Sequence, residues 1–160
     1  MGTKNKVREA NVGDATRIHG LARELAETVG DTPPTEEAIG ARLEELLDEA
    51  GARVLVAVGE VGVVGVASFW IKPDLAHGDI VVEVPMLVVA EDHRRSGVGR
   101  LLMEEVRNIA SDNGASQIEL VATRANVTAR EFYRSLGFVE AEVVSLEYVG
   151  SQEDPPEPEE

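Results

Sequence analysis

The chain has 160 residues, 43% hydrophobic and 28% charged with only 4% aromatic, which suits one domain with a core of mainly Val, Leu, Ile and Ala. Its net charge of −15, from 30 acids against 15 bases, argues against nucleic acid as a partner, because that binding rests on Lys and Arg neutralising phosphates. The absence of cysteine removes disulfides, thiolate metal sites and cysteine nucleophiles together.

In chain order, residues 6–11 read as a short first strand. A helix follows from Gly13-Asp14, with Ile18, Leu21, Ala22, Leu25 and Val29 at helical spacing. The stretch GDTPP (30–34) ends it, since proline cannot continue a helix. Thr35 caps a second helix, with Glu36 and Glu37 in its first turn and Ile39, Leu43, Leu46 and Leu47 on its apolar side. ARVLVAVG and GVVGVASFWI then form a β-hairpin, and KPDLAHGD is a loop. IVVEVPMLVV is too apolar to have one wet face and reads as a buried central strand. A helix over GVGRLLMEEVRNIASDNG turns Leu101, Leu102, Val106, Ile109 and Ala110 inward, and ASQIELVAT is a strand. NVTAREFYRSLG is a helix stopped by Gly137, and FVEAEVVSLEYVG returns to strand. The order β-α-α-β-β-β-α-β-α-β is a mixed α/β layer structure. The domain spans residues 1–150, and the Pro/Glu tail 151–160 is expected to be disordered.

The N-terminus MGTKNKVREA has no apolar leader core, and Lys6 stands where a myristoylation signal needs Ser or Thr. The longest nearly uncharged stretch, 61–71, is far short of a membrane span. The expectation is a soluble, cytoplasmic chain without a membrane partner.

The junction VVAEDHRRSGVGR (88–100) carries the first chemical signal. A helix N-terminus leaves amides without partners and carries partial positive charge, so phosphates settle there; glycine lets the backbone approach closely. An ordinary strand–helix turn with exposed arginines accounts for the local features as well. A P-loop is excluded, because Gly99 is followed by Arg100 and no lysine occurs from 73 to 160. A dinucleotide fingerprint fails too, since Leu102 stands at its third glycine.

RRSGVG (94–99) resembles the Q/R-x-x-G-x-G/A signature of the GNAT superfamily of acetyl-CoA-dependent N-acetyltransferases. NVTAREFYRSLGF (126–138) resembles that family's second segment, N-x-x-A-x-x-x-Y followed by L-G-F, and the element order is similar over residues 5 to about 149. The resemblance implies the acyl-CoA N-acyltransferase fold: a mostly antiparallel central sheet with a splayed parallel pair, flanked by about four helices. It implies acetyl-CoA as donor, held by Arg94, Arg95, Ser96, Gly97, Val98, Gly99 and Arg100 around the pyrophosphate. Leu87, Val88 and Val89 would close the acetyl-binding strand, with the amides of Leu87 and Val89 facing the thioester, and Asn126 would contact pantetheine. Tyr133 would be the acid for the departing thiolate.

For the amine's proton, Glu83 is the candidate base. It interrupts an apolar run, where a buried carboxylate is costly unless partnered or used, and alternation puts it on one face with Pro85, Leu87 and Val89 unless a bulge intervenes. Its offset before Arg94 is that of the base glutamate in the histone acetyltransferase branch. A water chain in place of a single base, or a Glu83 at the exposed end of the strand or salt-bridged to an arginine, is an equal reading. Pro85 removes a ladder donor and marks a bulge or a gap in pairing. His19, His77 and His93 are scattered and make no metal site.

The acceptor expected is a primary amine, with a cationic one favoured by the acidic chain: a small amine, polyamine, antibiotic, or protein lysine or N-terminus. An acyl-CoA-binding regulatory module without efficient turnover is the alternative. The family usually closes with two strands, whereas about a dozen residues follow Phe138 before the tail. In the family that region often shapes the acceptor pocket or a dimer contact, which leaves a homodimer open.

Overall fold

The structure, a computed structural model, describes residues 5–148. The tail expected to be disordered lies outside them. Five strands and four helices follow one another as β1 (Lys6–Glu9), α1 (Ala15–Val29), α2 (Glu36–Asp48), β2 (Ala52–Gly59), β3 (Gly62–Asp74), β4 (Asp79–Val89), α3 (Val98–Asp112), β5 (Ala115–Leu120) and α4 (Val127–Ser135). The sheet order equals the chain order, antiparallel throughout except for the parallel pair β4–β5. This is the mixed sheet expected from the sequence.

The helix boundaries follow local chemistry. α1 stops at Gly30, whose φ of 77° only glycine adopts freely. The Thr35 hydroxyl opens α2 by accepting the Ala38 N–H at 3.1 Å. Each face of the sheet buries its own core. On one, α3 and α4 cover Ala67, Phe69, Val82 and Val84 with Leu102, Met103, Val106 and Leu136. On the other, α1 and α2 cover Val54, Val56, Val66 and Val88 with Ile18, Leu21 and Leu43.

Asp14 is the one buried charged residue among those described. It accepts two bonds from the Arg8 guanidinium, at 2.8 and 2.9 Å, and one from the Asn11 N–H at 2.9 Å. The Arg8 hydrogen bonds hold its carboxyl below the usual carboxylate range. A carboxylate with a lowered folded pKa stabilises fully above its unfolded value of about 3.9, and loses that contribution as pH falls through the folded value. Asp14→Ala should therefore cost about 1–3 kcal/mol at neutral pH. Chemical denaturation should show the gap to the parent chain narrowing once pH drops below about 4.

One expectation fails. Residues 138–148 form no strand: the stretch is unpaired, and Val139, Val143, Val144, Leu146 and Tyr148 are exposed. Its alternation is strand-like, but a strand needs a partner, and none meets it within the described chain. The irregularity expected at Pro85 is present as a bulge, because β4 carries an extra residue there. Ser68 pairs with Met86 while Trp70 pairs with Glu83, two steps in β3 against three in β4, so the surplus falls at Val84–Pro85. That bulge, at the proline, inverts the alternation on either side of it.

Candidate active site

β4 and β5 run side by side only from Ile80 to Val84, against Ala115 to Leu120, and the pairing then ends. Beyond Val84, β4 continues on β3 alone. The Ala90 N–H donates to Val64 O at 2.8 Å, so the even-numbered amides of this stretch face β3. The amides of Leu87 and Val89 therefore face the opposite side, where β5 has parted from the sheet. Val88 differs from both. Its backbone faces β3 and its side chain is buried in the α1/α2 core, so it brings nothing to the opening.

The loop after β4 folds as its sequence suggests, with one addition. Gly97 has a φ of 87°, as a glycine at a tight turn should, but Arg95 also adopts a left-handed φ of 63°. The Ser96 hydroxyl donates to His93 O, and Arg94 Nε donates to Val89 O at 3.2 Å, tying the loop to the end of β4. Gly97 is the N-cap of α3 and no side chain caps that end; the first intrahelical bond runs from Leu101 N to Gly97 O at 3.0 Å. The amides of Val98, Gly99 and Arg100 are thus without intrahelical partners, at the positive end of the helix and amid three arginines. The Val98 side chain is 1% exposed and belongs to the core, leaving only its amide for a ligand. Nothing lies within 4 Å of a Cβ at Gly97, so space for an anion is open there. Gly99 is needed for packing: a Cβ would stand 2.8 Å from Phe132 Cζ of α4. The His93 Nδ1 is buried without a hydrogen-bond partner among the described residues.

α4 presents Tyr133 on the same face as Leu87 and Val89, and all three pack against the α3-side core. Its ring lies 5.3 Å from that of Phe132 and 5.8 Å from that of Phe138. Burial pushes its phenol up to about 12. Asn126 caps α4 by accepting the Ala129 N–H at 3.2 Å, which by itself explains the residue type.

Glu83 stands elsewhere than expected. Its side chain is 43% exposed, so it is no buried carboxylate, and it forms an ion pair with Lys72. The bulge moves it off the face of Leu87 and Val89. It lies on the α1/α2 face with Met86 and Val88, across from Trp70 on β3 and Glu119 on β5. The partner Lys72 escaped sequence reading, because the relation between 72 and 83 depends on the hairpin register. Nearby, His77 pairs with Asp74, which raises the imidazole and lowers the carboxyl. No cluster of His, Cys, Asp and Glu suited to a metal occurs among the described residues. Nor is any described helix long and apolar enough to cross a membrane.

The residues 50–140 match the model of the acetyltransferase (GNAT) domain. The chain belongs to the GNAT acetyltransferase family. It is 31% identical to the thialysine N-epsilon-acetyltransferase of Bos taurus over 147 residues, covering 82% of each chain. It is 32% identical over 104 residues to the streptothricin acetyltransferase of Streptomyces lavendulae, covering 65% of this chain and 53% of that one, so it spans about half the length of that relative. The fold superimposes on an aminoglycoside N-acetyltransferase solved in complex with CoA, at a TM-score of 0.81 and 22% identity over 93% of this chain and 97% of the other. Family membership carries acetyl transfer from acetyl-CoA as its chemistry. Open amides at α3, an opening flanked by the amides of Leu87 and Val89, and Tyr133 on the same face fit that donor.

Proposed function

We propose that the chain transfers the acetyl group of acetyl-CoA directly to a primary amine of a cationic acceptor. The observation that carries this reading is the parting of β4 from β5 after Val84, with the amides of Leu87 and Val89 turned into the opening. The amides of Val98, Gly99 and Arg100, with Arg94, Arg95 and Arg100, would hold the pyrophosphate. That lays the pantetheine arm along the opening toward Asn126 and Tyr133. The amine nitrogen attacks the thioester carbon, and a backbone N–H of Leu87 or Val89 takes the charge that builds on its oxygen. As the carbon–sulfur bond breaks, the Tyr133 hydroxyl donates to the leaving sulfur.

The proton of the acceptor ammonium leaves on the other side of the sheet. The opening gives onto both faces, so the donor can enter from the α3/α4 face and the acceptor from the α1/α2 face, where Glu83 lies. Glu83 is held by Lys72, so an acceptor cation would have to displace Lys72 before Glu83 served as base; otherwise water carries the proton. The cationic acceptor is supported by relatives named for streptothricin, thialysine and an aminoglycoside, and by the acidic chain.

The test is thermal melting with acetyl-CoA, followed by thiol release over a panel of amines. At a hundredfold excess over Kd the donor should stabilise the chain by about 2.7 kcal/mol, a rise of roughly 5–10 °C. Thiol release should then depend on a cationic amine. The absence of any thermal shift would defeat the donor-site assignment, and a shift with no thiol release from any amine would leave a binding module.

A further inference from the structure

Twelve of the fifteen basic residues are arginine, and the three lysines are Lys4, Lys6 and Lys72. Among the described residues, ion pairs are otherwise made by arginine or histidine: Arg8 with Asp14, Arg42 with Glu45, Arg130 and Arg134 with Glu140, and His77 with Asp74. Lysine stands only in the pair with Glu83. That choice has a physical consequence. A guanidinium grips a carboxylate with a planar fork, whereas an ammonium is a strongly hydrated point charge on a flexible stem, readily exchanged for another. An ammonium is also the head group of an amine acceptor.

The strands around Lys72 fix its neighbours. Ile71, Val82, Val84, Ile118 and Leu120 pack in or against the α3-side core, so Lys72, Glu83 and Glu119 all face the α1/α2 side. Glu83 pairs directly with Glu119 across the parallel ladder, and Val84 with Leu120 is the last pair before the strands part. Like charges on facing positions of paired strands repel. One ammonium serves both carboxylates: it bonds Glu83, and the charges of Glu119 and Asp74 add to the pull that raises its pKa. Asp74 has His77 as a partner of its own, while Glu119 accepts only the side-chain amide of Gln117 among the described residues. The rim of the opening thus holds two adjacent carboxylates and a single exchangeable cation.

We propose that Lys72 is a specificity-determining residue, a built-in competitor whose ammonium occupies the acceptor's cation position on Glu83 until the amine to be acetylated displaces it. The proposal rests on the reading of the α1/α2 face as the acceptor side. Lys72 and Glu83 are both half-exposed, so the displaced ammonium returns to water at little cost. A monoamine merely exchanges one ammonium for another on Glu83. A diamine sets its second charge against Glu119 as the first meets Glu83, so the rim selects acceptors with two cationic centres. The strength of the competition follows from the pair it must break. An exposed ion pair is closed over open by about twofold to fivefold, and apparent affinity falls with the fraction of sites left open.

Thiol release with n-butylamine and with putrescine, amines of equal carbon length with one charge and with two, reads the effect. Putrescine should show the lower KM in the parent chain. Lys72→Met should lower the KM for both amines by about threefold to sixfold, acting through KM rather than kcat and leaving acetyl-CoA affinity unchanged. Lys72→Arg should keep KM at or above the parent value, because its fork holds Glu83 more firmly. Glu119→Gln should bring the KM values of the two amines together. Calorimetric titration of both amines into the donor-free chains should give the same order of affinities without turnover. Amine affinities that stay the same or weaken in Lys72→Met, or that rise as much in Lys72→Arg, overturn the proposal. Failure of every chain to bind either amine does so too. If the order of affinities holds but no chain releases thiol, the acetyl-transfer reading falls and the role of Lys72 stands.

Discussion

A Tyr133→Phe variant should transfer acetyl between about tenfold and about a hundredfold more slowly, with its affinity for acetyl-CoA unchanged. The magnitude follows from the environment of the phenol. In the donor-free protein burial holds it up at about 12, whereas the thiol of cysteine, taken as the side-chain reference, titrates near 8.5. Full proton transfer from tyrosine to thiolate would thus run uphill by roughly 3.5 units, about 5 kcal/mol. The residue is better suited to donate a hydrogen bond to sulfur as charge collects there than to surrender its proton early. A hydrogen bond to a charged atom is worth about 1.5–3 kcal/mol, which corresponds to the stated loss in rate. The hydroxyl is all that is removed, and the ring contacts with Phe132 and Phe138 persist, so stability should hold. Single-turnover rates and acetyl-CoA titration of both forms separate the outcomes. A variant as fast as the parent removes Tyr133 from the chemistry, and a variant that binds acetyl-CoA weakly makes it a binding residue instead. Because the shift keeps the phenol protonated through the neutral and mildly alkaline range, any pH limb there belongs to another group.

Most of the framework was legible in the sequence because it is written in local signals. The glycine after α1, the Thr35 cap, the apolar run of β4 and the RRSGVG junction each depend on a few adjacent residues, and each stands where it was expected. What was not legible depends on pairing between distant residues. Alternation placed Glu83 with Leu87 and Val89, but one surplus residue at Val84–Pro85 reverses the parity. Pro85 announced an irregularity without saying on which side the strand would resume. Lys72 became visible as the partner of Glu83 only through the hairpin register. Gly99 looked like a second contact for an anion, and the ring of Phe132, 33 positions away in sequence, gives it a steric task as well. Residues 138–148 show the same limit from the other side: a strand pattern is a property of the segment, and a strand is a property of two segments.

Gly97→Glu should abolish detectable acetyl-CoA binding while the chain stays folded. Gly97 has open space where a Cβ would stand, so the side chain meets no obstacle. Its φ of 87° charges any L residue about 1–2 kcal/mol, which a domain stable by roughly 5–15 kcal/mol tolerates. Part of that cost returns in the unliganded protein. A carboxylate at the N-terminus of α3 is favoured by the helix dipole by about 0.3–1 kcal/mol. The same carboxylate would occupy the place assigned to the pyrophosphate. Two like charges about 4 Å apart near a protein surface repel by about 4 kcal/mol, roughly a thousandfold in affinity. Gly97→Ala separates charge from backbone, since it carries the strained φ without the carboxylate and should weaken binding by about tenfold or less. In thermal melts, the Glu variant should start a few degrees below the parent and show no rise with acetyl-CoA, while the Ala variant keeps most of the rise. If the Glu variant binds acetyl-CoA as tightly as the parent does, the pyrophosphate does not lie at the α3 N-terminus. If both variants lose binding alike, the left-handed backbone at 97, rather than the charge balance of the loop, controls donor affinity.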